Sequence, residues 1–195
     1  MTCIVAVKDR GRVYMGGDSI GGHTNQWMVT PRKDPKVFWC GKLLIGYTSS
    51  YRMAQLIRFG LQDALPVSEL EPPDDPADGF EFMVTDFVPR VRYLFDEGGY
   101  LKTDCGREEA GQFLVAWGGQ LFGVEDDLQV ADYARPWASC GCGIEYALGA
   151  LHAMGNVDPG FDPETMVLKA LSSASAHSAF VGGPPVVHHT QEKRG

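Results

Sequence analysis

The chain opens on an apolar run, Cys3-Ile4-Val5-Ala6-Val7, closed by Asp9-Arg10-Gly11 and answered by Arg12 to Gly16, in which Val13 and Met15 fall on one face. That pattern predicts a β-hairpin, with strand Cys3 to Lys8 returning through Arg12 to Gly16, and it brings Thr2 and Asp18 to the same end of a sheet. Residues 19–33 are polar and glycine-rich and include Pro31, which predicts a loop. Lys36 to Cys40 and Lys42 to Gly46, separated only by Gly41, predict a second β pair. The hydrophobic period then changes. Met53, Leu56, Ile57 and Leu61 recur at helical spacing behind Ser49 or Ser50 as cap, and Phe80, Met83, Val84, Phe87, Val88, Val91 and Phe95 predict a second helix kinked at Pro89.

The second half repeats the scheme. Gln112 to Trp117, Gly118-Gly119 and Gln120 to Val124 predict a hairpin, with more sheet over Leu128 to Tyr133. Cys140-Gly141-Cys142-Gly143 reads as a turn feeding a helix of small residues through Leu151. A last helix starts at Pro163 and carries Met166, Val167, Ala170, Leu171 and Ala174, and Pro184 to His189 forms an edge strand. Strands, two helices, strands, two helices and a strand make an α+β chain, with two antiparallel sheets sandwiched between helix pairs in four layers, αββα.

Composition narrows the function. A chain of 195 residues, 44% hydrophobic, is expected to form one domain over 1–195, with an exposed acidic, proline-rich loop at 65–78 and a polar tail at 190–195. A net charge of -8 argues against nucleic-acid binding, which calls for a basic face. No run approaches the roughly 20 apolar residues of a membrane span, so a soluble, cytoplasmic protein is expected. Five cysteines, an odd number, fit reduced thiols. Gly16-Gly17 is too little for a phosphate loop, Cys140-x-Cys142 lacks a second ligand pair at zinc spacing, and His188-His189 read as surface residues. No Gly-x-Ser-x-Gly elbow occurs, and no cofactor or metal is expected.

The remaining candidate chemistry lies at the start. With Met1 removed, Thr2 carries a hydroxyl nucleophile and a free α-amine of pKa about 8 on one residue, and the apolar run behind it seats that residue at a strand end. Removing both Met1 and Thr2 would expose Cys3 instead, whose bland reading is a buried strand thiol.

Thr2-x-Ile4-Val5-x-Val7, a short hairpin and Gly16-Gly17-Asp18 resemble the N-terminal-nucleophile hydrolases of the proteasome β-subunit and HslV-type peptidase family. The resemblance continues through Pro35-Lys36-Val37-Phe38, Ile45-Gly46-Tyr47-Thr48-Ser49-Ser50, Gly141-Cys142-Gly143 and Ser178-Ala179-Phe180-Val181-Gly182-Gly183-Pro184. It implies Thr2 as nucleophile, Lys36 as the lysine lowering its proton affinity, Asp18 as that lysine's partner, and the backbone N–H of Ser49 as oxyanion donor. Lys33 competes with Lys36, since the preceding loop leaves the register open. The resemblance also implies a homo-oligomeric ring, an ATP-dependent unfoldase that feeds it, and unfolded protein or peptide as substrate.

Two departures from the family pattern bear on activity. Cys142 stands where a serine supports the site, and Ser178 stands for its aspartate, with Val181 where a hydroxyl residue is usual. Cys142 keeps a weak donor and acceptor, whereas Ser178 supplies no charge. His177 is a neighbour that could compensate in part. The competing expectations are a non-catalytic, ring-forming subunit of the same fold and a small-amide hydrolase.

Overall fold

The computed structural model describes residues 2–23, 28–61, 72–73, 75–157 and 160–191. The first strands are β1 (Cys3–Asp9), β2 (Arg12–Gly17), β3 (Ile20–His23), β4 (Met28–Pro31), β5 (Val37–Cys40) and β6 (Leu43–Tyr47). Helix α1 joins an α-helical segment, Tyr51–Gln55, to a π-helical turn, Leu56–Gly60. Helix α2 joins Gly79–Phe82, a π-helical turn Met83–Phe87, and Val88–Glu97. Then come β7 (Lys102–Asp104), β8 (Arg107–Glu109), β9 (Phe113–Trp117), β10 (Gln120–Val124), β11 (Val130–Asp132), β12 (Trp137–Gly141), α3 (Ile144–Val157), α4 (Pro163–His177) and β13 (Val186–His189).

The strands form a four-stranded sheet, β12-β1-β2-β13, and a five-stranded sheet, β11-β10-β9-β6-β5, with all pairings antiparallel. The protein is thus α+β, and alternation along β1 explains its unbroken apolar run. Ile4 and Ala6 pack between the two sheets with Val37, Leu44, Leu114 and Ala116. Cys3, Val5 and Val7 point the other way, against Ala147 and Leu151 of α3 and Val167, Ala170 and Leu171 of α4. A strand buried on both faces has no polar side to show. The second sheet repeats this, its other face packing Phe38, Ile45, Phe113 and Val115 against Met53 and Ile57 of α1 and Phe87, Val91 and Phe95 of α2.

Gly16 is a packing residue here, since a Cβ on it would come within 2.6 Å of Val167 Cγ1 and hold α4 off the sheet. At the end of α1's approach, Ser50 is the residue that caps, its hydroxyl accepting from the Arg52 N–H at 3.1 Å. Asp162 caps α4 in the same way, at 2.8 Å from the Thr165 N–H, with Pro163 in the first turn.

Several expectations need correction. Residues 19–33 are not a loop throughout: β3 and β4 pair as a hairpin, with Ile20 opposite Pro31 and Gly21 opposite Thr30. Of the apolar stripe expected in α2 only Met83, Phe87, Val91 and Phe95 are buried, while Phe80 and Val84 are 45% and 44% exposed. A π-helical turn stands directly before Pro89, closed by the Val88 N–H on the Met83 carbonyl, and its wider turn shifts the phase of the stripe. Cys140 and Gly141 belong to β12 rather than to a turn, and the β7–β8 hairpin carries no hydrophobic signal because most of it is exposed.

Of the acidic loop expected at 65–78, residues 65–71 and 74 lie outside the described residues. Asp75 caps a short 3-10 turn, Pro76–Asp78, that runs directly into α2. Thr190, expected in the tail, is buried and exchanges bonds of 2.8 and 2.9 Å with the Val13 backbone; residues 192–195 lie outside the description. No helix among the described residues is long and apolar enough to cross a membrane.

Candidate active site at Thr2

Thr2 stands at the open end of β1, 4% exposed. The next residue ties that end to Asp18: the Cys3 N–H donates to Asp18 Oδ1 at 3.0 Å, and the Asp18 N–H returns to the Cys3 carbonyl at 3.3 Å. Asp18 leaves β2 directly after Gly17, so the hairpin register brings it back beside the first residues of β1.

Lys36 enters from the residue before β5, its carbonyl accepting from the Tyr47 N–H at 3.0 Å. Its ammonium donates to both Asp18 oxygens at 2.9 Å and to the Ile20 carbonyl at 2.6 Å. The Gly182 N–H adds a 3.4 Å contact to Asp18 Oδ2. Lys36 and Asp18 are 2% and 3% exposed, whereas Lys33 lies on the exposed surface. Of the two competing lysines, Lys36 is the one buried against Asp18. Burial pushes its pKa below the ordinary lysine value, and the Asp18 charge opposes that shift.

Opposite this pair, the chain leaves β6 through Thr48, Ser49 and Ser50. Ser49 is a non-glycine residue in the left-handed region, φ +67°. The Ser50 N–H closes the turn on the Thr48 carbonyl at 2.8 Å, and the Ser49 N–H has no acceptor among the described residues. Gly141, φ +98°, shows that this turn lies beside Thr2. A Cβ there would collide with the Thr2 carbonyl and come within 3.1 Å of Thr48 Oγ1.

Cys142 follows β12 and approaches the same carbonyl. Its thiol lies 3.4 Å from the Thr2 oxygen and 3.7 Å from Ser178 Oγ. Ser178 ends α4, its N–H donating to the Ala174 carbonyl at 2.8 Å and its own carbonyl accepting from Val181 at 3.2 Å. Val181 is buried in the helix–sheet core, and the His177 ring packs against Tyr146 with centroids 5.4 Å apart. Cys3 is fully buried, and that burial pushes its thiol pKa up to about 12, which suits a structural thiol better than a nucleophile.

The structure thus gathers Thr2, Asp18, Lys36, Cys142 and Ser178 around one strand end, with the Ser49 turn alongside. Ile20, Gly182 and Gly141 also shape the site; the two glycines stand inside runs that carry the sequence resemblance but had no role of their own there, and Ile20 had none. Ile20 lay in the segment read as a loop. Gly141 and Gly182 contribute only backbone, for which the glycine-rich runs around them are a weak signal.

No protein-family model and no curated protein matches the chain. Solved structures do. BPH of Thiobacillus denitrificans aligns in a complex with epoxomicin at a TM-score of 0.79 and 20% identity, covering 99% of this chain and 100% of that one. A second BPH structure aligns at a TM-score of 0.76 and 21% identity, covering 97% and 98%. HslV from Trypanosoma brucei aligns at 0.65 and 20%, covering 98% and 100%. Over nearly its whole length, therefore, this chain has the fold of BPH and HslV, and the proteasome/HslV-like resemblance of its sequence is matched by its structure at the level of the fold.

Proposed function

We propose that the protein is a threonine-type endopeptidase of the N-terminal-nucleophile class, acting through Thr2 once Met1 is removed. One observation carries this reading: a lysine–aspartate pair is buried beneath the strand end that presents Thr2. Desolvating two charges costs several kcal/mol, roughly what their attraction returns, so such a pair adds little net stability and marks a site of chemistry more readily than a structural brace.

In this reading the freed α-amine of Thr2 takes the Oγ proton while Oγ attacks the scissile carbonyl. The carbonyl electron pair moves onto oxygen, where the Ser49 N–H receives it. Collapse expels the amine product, which carries away the proton held by the Thr2 ammonium, and leaves an ester on Oγ. Water then gives a proton to the α-amine, attacks the ester and releases the acid product as Oγ–H re-forms. Lys36 favours the anionic form of Oγ by its charge, Asp18 holds Lys36, and Cys142 and Ser178 orient the first residue.

The same reading places the chain, as a single αββα domain, in a homo-oligomeric cytoplasmic ring that takes unfolded protein or peptide from an ATP-dependent unfoldase. Five free thiols fit that compartment. The neutral Cys142–Ser178 side favours one second reading, a ring-forming subunit without turnover.

Intact mass and hydrolysis of fluorogenic peptides separate the two. The peptidase reading expects loss of Met1, uptake of epoxomicin as in the BPH complex, and no turnover by Thr2→Ala. Retained Met1 with equal rates in both proteins would establish the non-catalytic subunit.

A further inference from the structure

An oxyanion donor needs only a backbone N–H, and in a left-handed turn glycine supplies it without strain. This chain places a serine there, at φ +67°. The Ser49 hydroxyl has a definite partner, accepting from the Gln112 N–H at 3.2 Å. The Gln112 carbonyl meanwhile accepts from the Thr48 N–H at 3.0 Å, so one residue brackets the turn with both of its backbone groups. Gly111 makes room for this, since a Cβ on it would stand 2.9 Å from Ser49 Cβ and 3.0 Å from Ser49 Oγ.

Gln112 is held in turn. Its side-chain amide donates to Glu125 Oε2 at 2.9 Å, at the end of β10. The preceding Ala110 is fixed by its N–H on the Asp126 carbonyl at 2.8 Å and by Tyr100, whose hydroxyl donates to the Ala110 carbonyl at 3.3 Å. The segment before β9 is therefore a braced abutment, and the Ser49 side chain is the bolt that fastens the turn to it.

We propose that Ser49 acts twice, its N–H as the oxyanion donor and its hydroxyl, through Gln112 and the space left by Gly111, as a positioning group that holds that N–H on the developing charge. The inference rests on the peptidase reading above. It separates the two roles within one residue: substitution leaves the N–H in the chain but frees its direction.

The test compares Ser49→Ala, Ser49→Gly and Gly111→Ala with the parent in peptide hydrolysis and in affinity for a peptide boronate, whose tetrahedral adduct on Thr2 Oγ carries the oxyanion. All three are expected to lower kcat by roughly tenfold, less than the loss of an oxyanion donor outright, with KM within about twofold and boronate affinity falling by the same factor as kcat. Ser49→Gly guards against a folding artefact, because glycine relieves the left-handed backbone. If strain alone mattered, Ser49→Gly would match or exceed the parent, and the proposal would be overturned. It is overturned equally by Ser49→Ala that keeps the parent's kcat and boronate affinity while Thr2→Ala is inactive. Undiminished turnover by Thr2→Ala would instead remove the peptidase reading, and this inference with it.

Discussion

On one side of Thr2, Lys36 and Asp18 meet in two hydrogen bonds of 2.9 Å at 2–3% exposure, and the carboxylate also takes the Cys3 N–H. On the other side, Cys142 reaches the Thr2 carbonyl at 3.4 Å and Ser178 at 3.7 Å, through sulfur and without a formal charge. The first side is desolvated and charge-assisted, so every member depends on the others. The second is neutral, with Cys142 itself exposed, and a thiol is a weak donor. In the peptidase reading, electrostatic control of the nucleophile and orientation of its amine would thus fall to groups of very different strength. A change on the charged side should cost both fold and function, whereas the neutral side should tolerate change and even improve.

Lys36→Met breaks the comparison hardest. It leaves the Asp18 carboxylate buried beside apolar neighbours, which costs about 3–5 kcal/mol when one partner of a buried pair is removed. It also removes the charge that favours ionised Oγ, so kcat should fall roughly a hundredfold or more. Urea unfolding and peptide hydrolysis measure the two effects. Adding Asp18→Asn to Lys36→Met should recover much of the stability and none of the rate, because the orphaned carboxylate is gone while the cation is still missing. Stability unchanged in the single variant would mean that the pair is not interdependent.

Ser178→Asp sharpens the comparison from the other side. A carboxylate at the end of α4 would turn the Cys142–Ser178 contact into a charge-assisted one and give the amine an anionic neighbour. A hydrogen bond to a charged group contributes about 1.5–3 kcal/mol, and roughly a tenfold gain in kcat follows if about half of that is realised in the transition state. The helix C-terminus opposes a negative charge there, which should cost a few tenths of a kcal/mol to 1 kcal/mol of stability. A rate that does not rise, measured on protein shown by mass to lack Met1, would show that the neutral side does not limit turnover.

The charged half was legible in the sequence for a physical reason. A strand buried on both faces is written as a continuous apolar run, and Asp18 follows its hairpin partner by simple register, so Thr2 and Asp18 could be brought together without coordinates. The strand directly after Lys36 favoured it over Lys33, but the register of the segment before them stayed open, because it depends on β3 and β4. That hairpin reads Ile20-Gly21-Gly22-His23 and Met28-Val29-Thr30-Pro31, and with Val29 46% exposed and Thr30 and Pro31 exposed beside it, these positions of β4 show no alternation. The left-handed turn at Ser49 and the close approach of Gly141 to Thr2 were hidden for a different reason. Both are backbone events, and hydrophobic pattern reports only side chains.

The smallest expected effect lies in pH. Burial sets the pKa of Lys36 below the ordinary value, so the native chain releases this proton earlier than the unfolded chain does. Between the native midpoint and about 10.4, the unfolded state binds more protons at this residue, and raising the pH across that window favours the native state. The penalty of holding the buried ammonium is present in full below the window and is relieved as pH rises through it. Catalysis should move the opposite way, since Oγ loses the adjacent cation over the same range. The alkaline limb of kcat should therefore fall before free lysine would titrate, while the Lys36 contribution to Tm rises. Comparing the parent with Lys36→Met isolates that contribution: the Tm gap between them should change by only a few degrees over the window and widen in the parent's favour. A gap that narrows as pH rises would mean that the lysine is stabilised as a cation, and that its charge is held for the fold as firmly as for the chemistry.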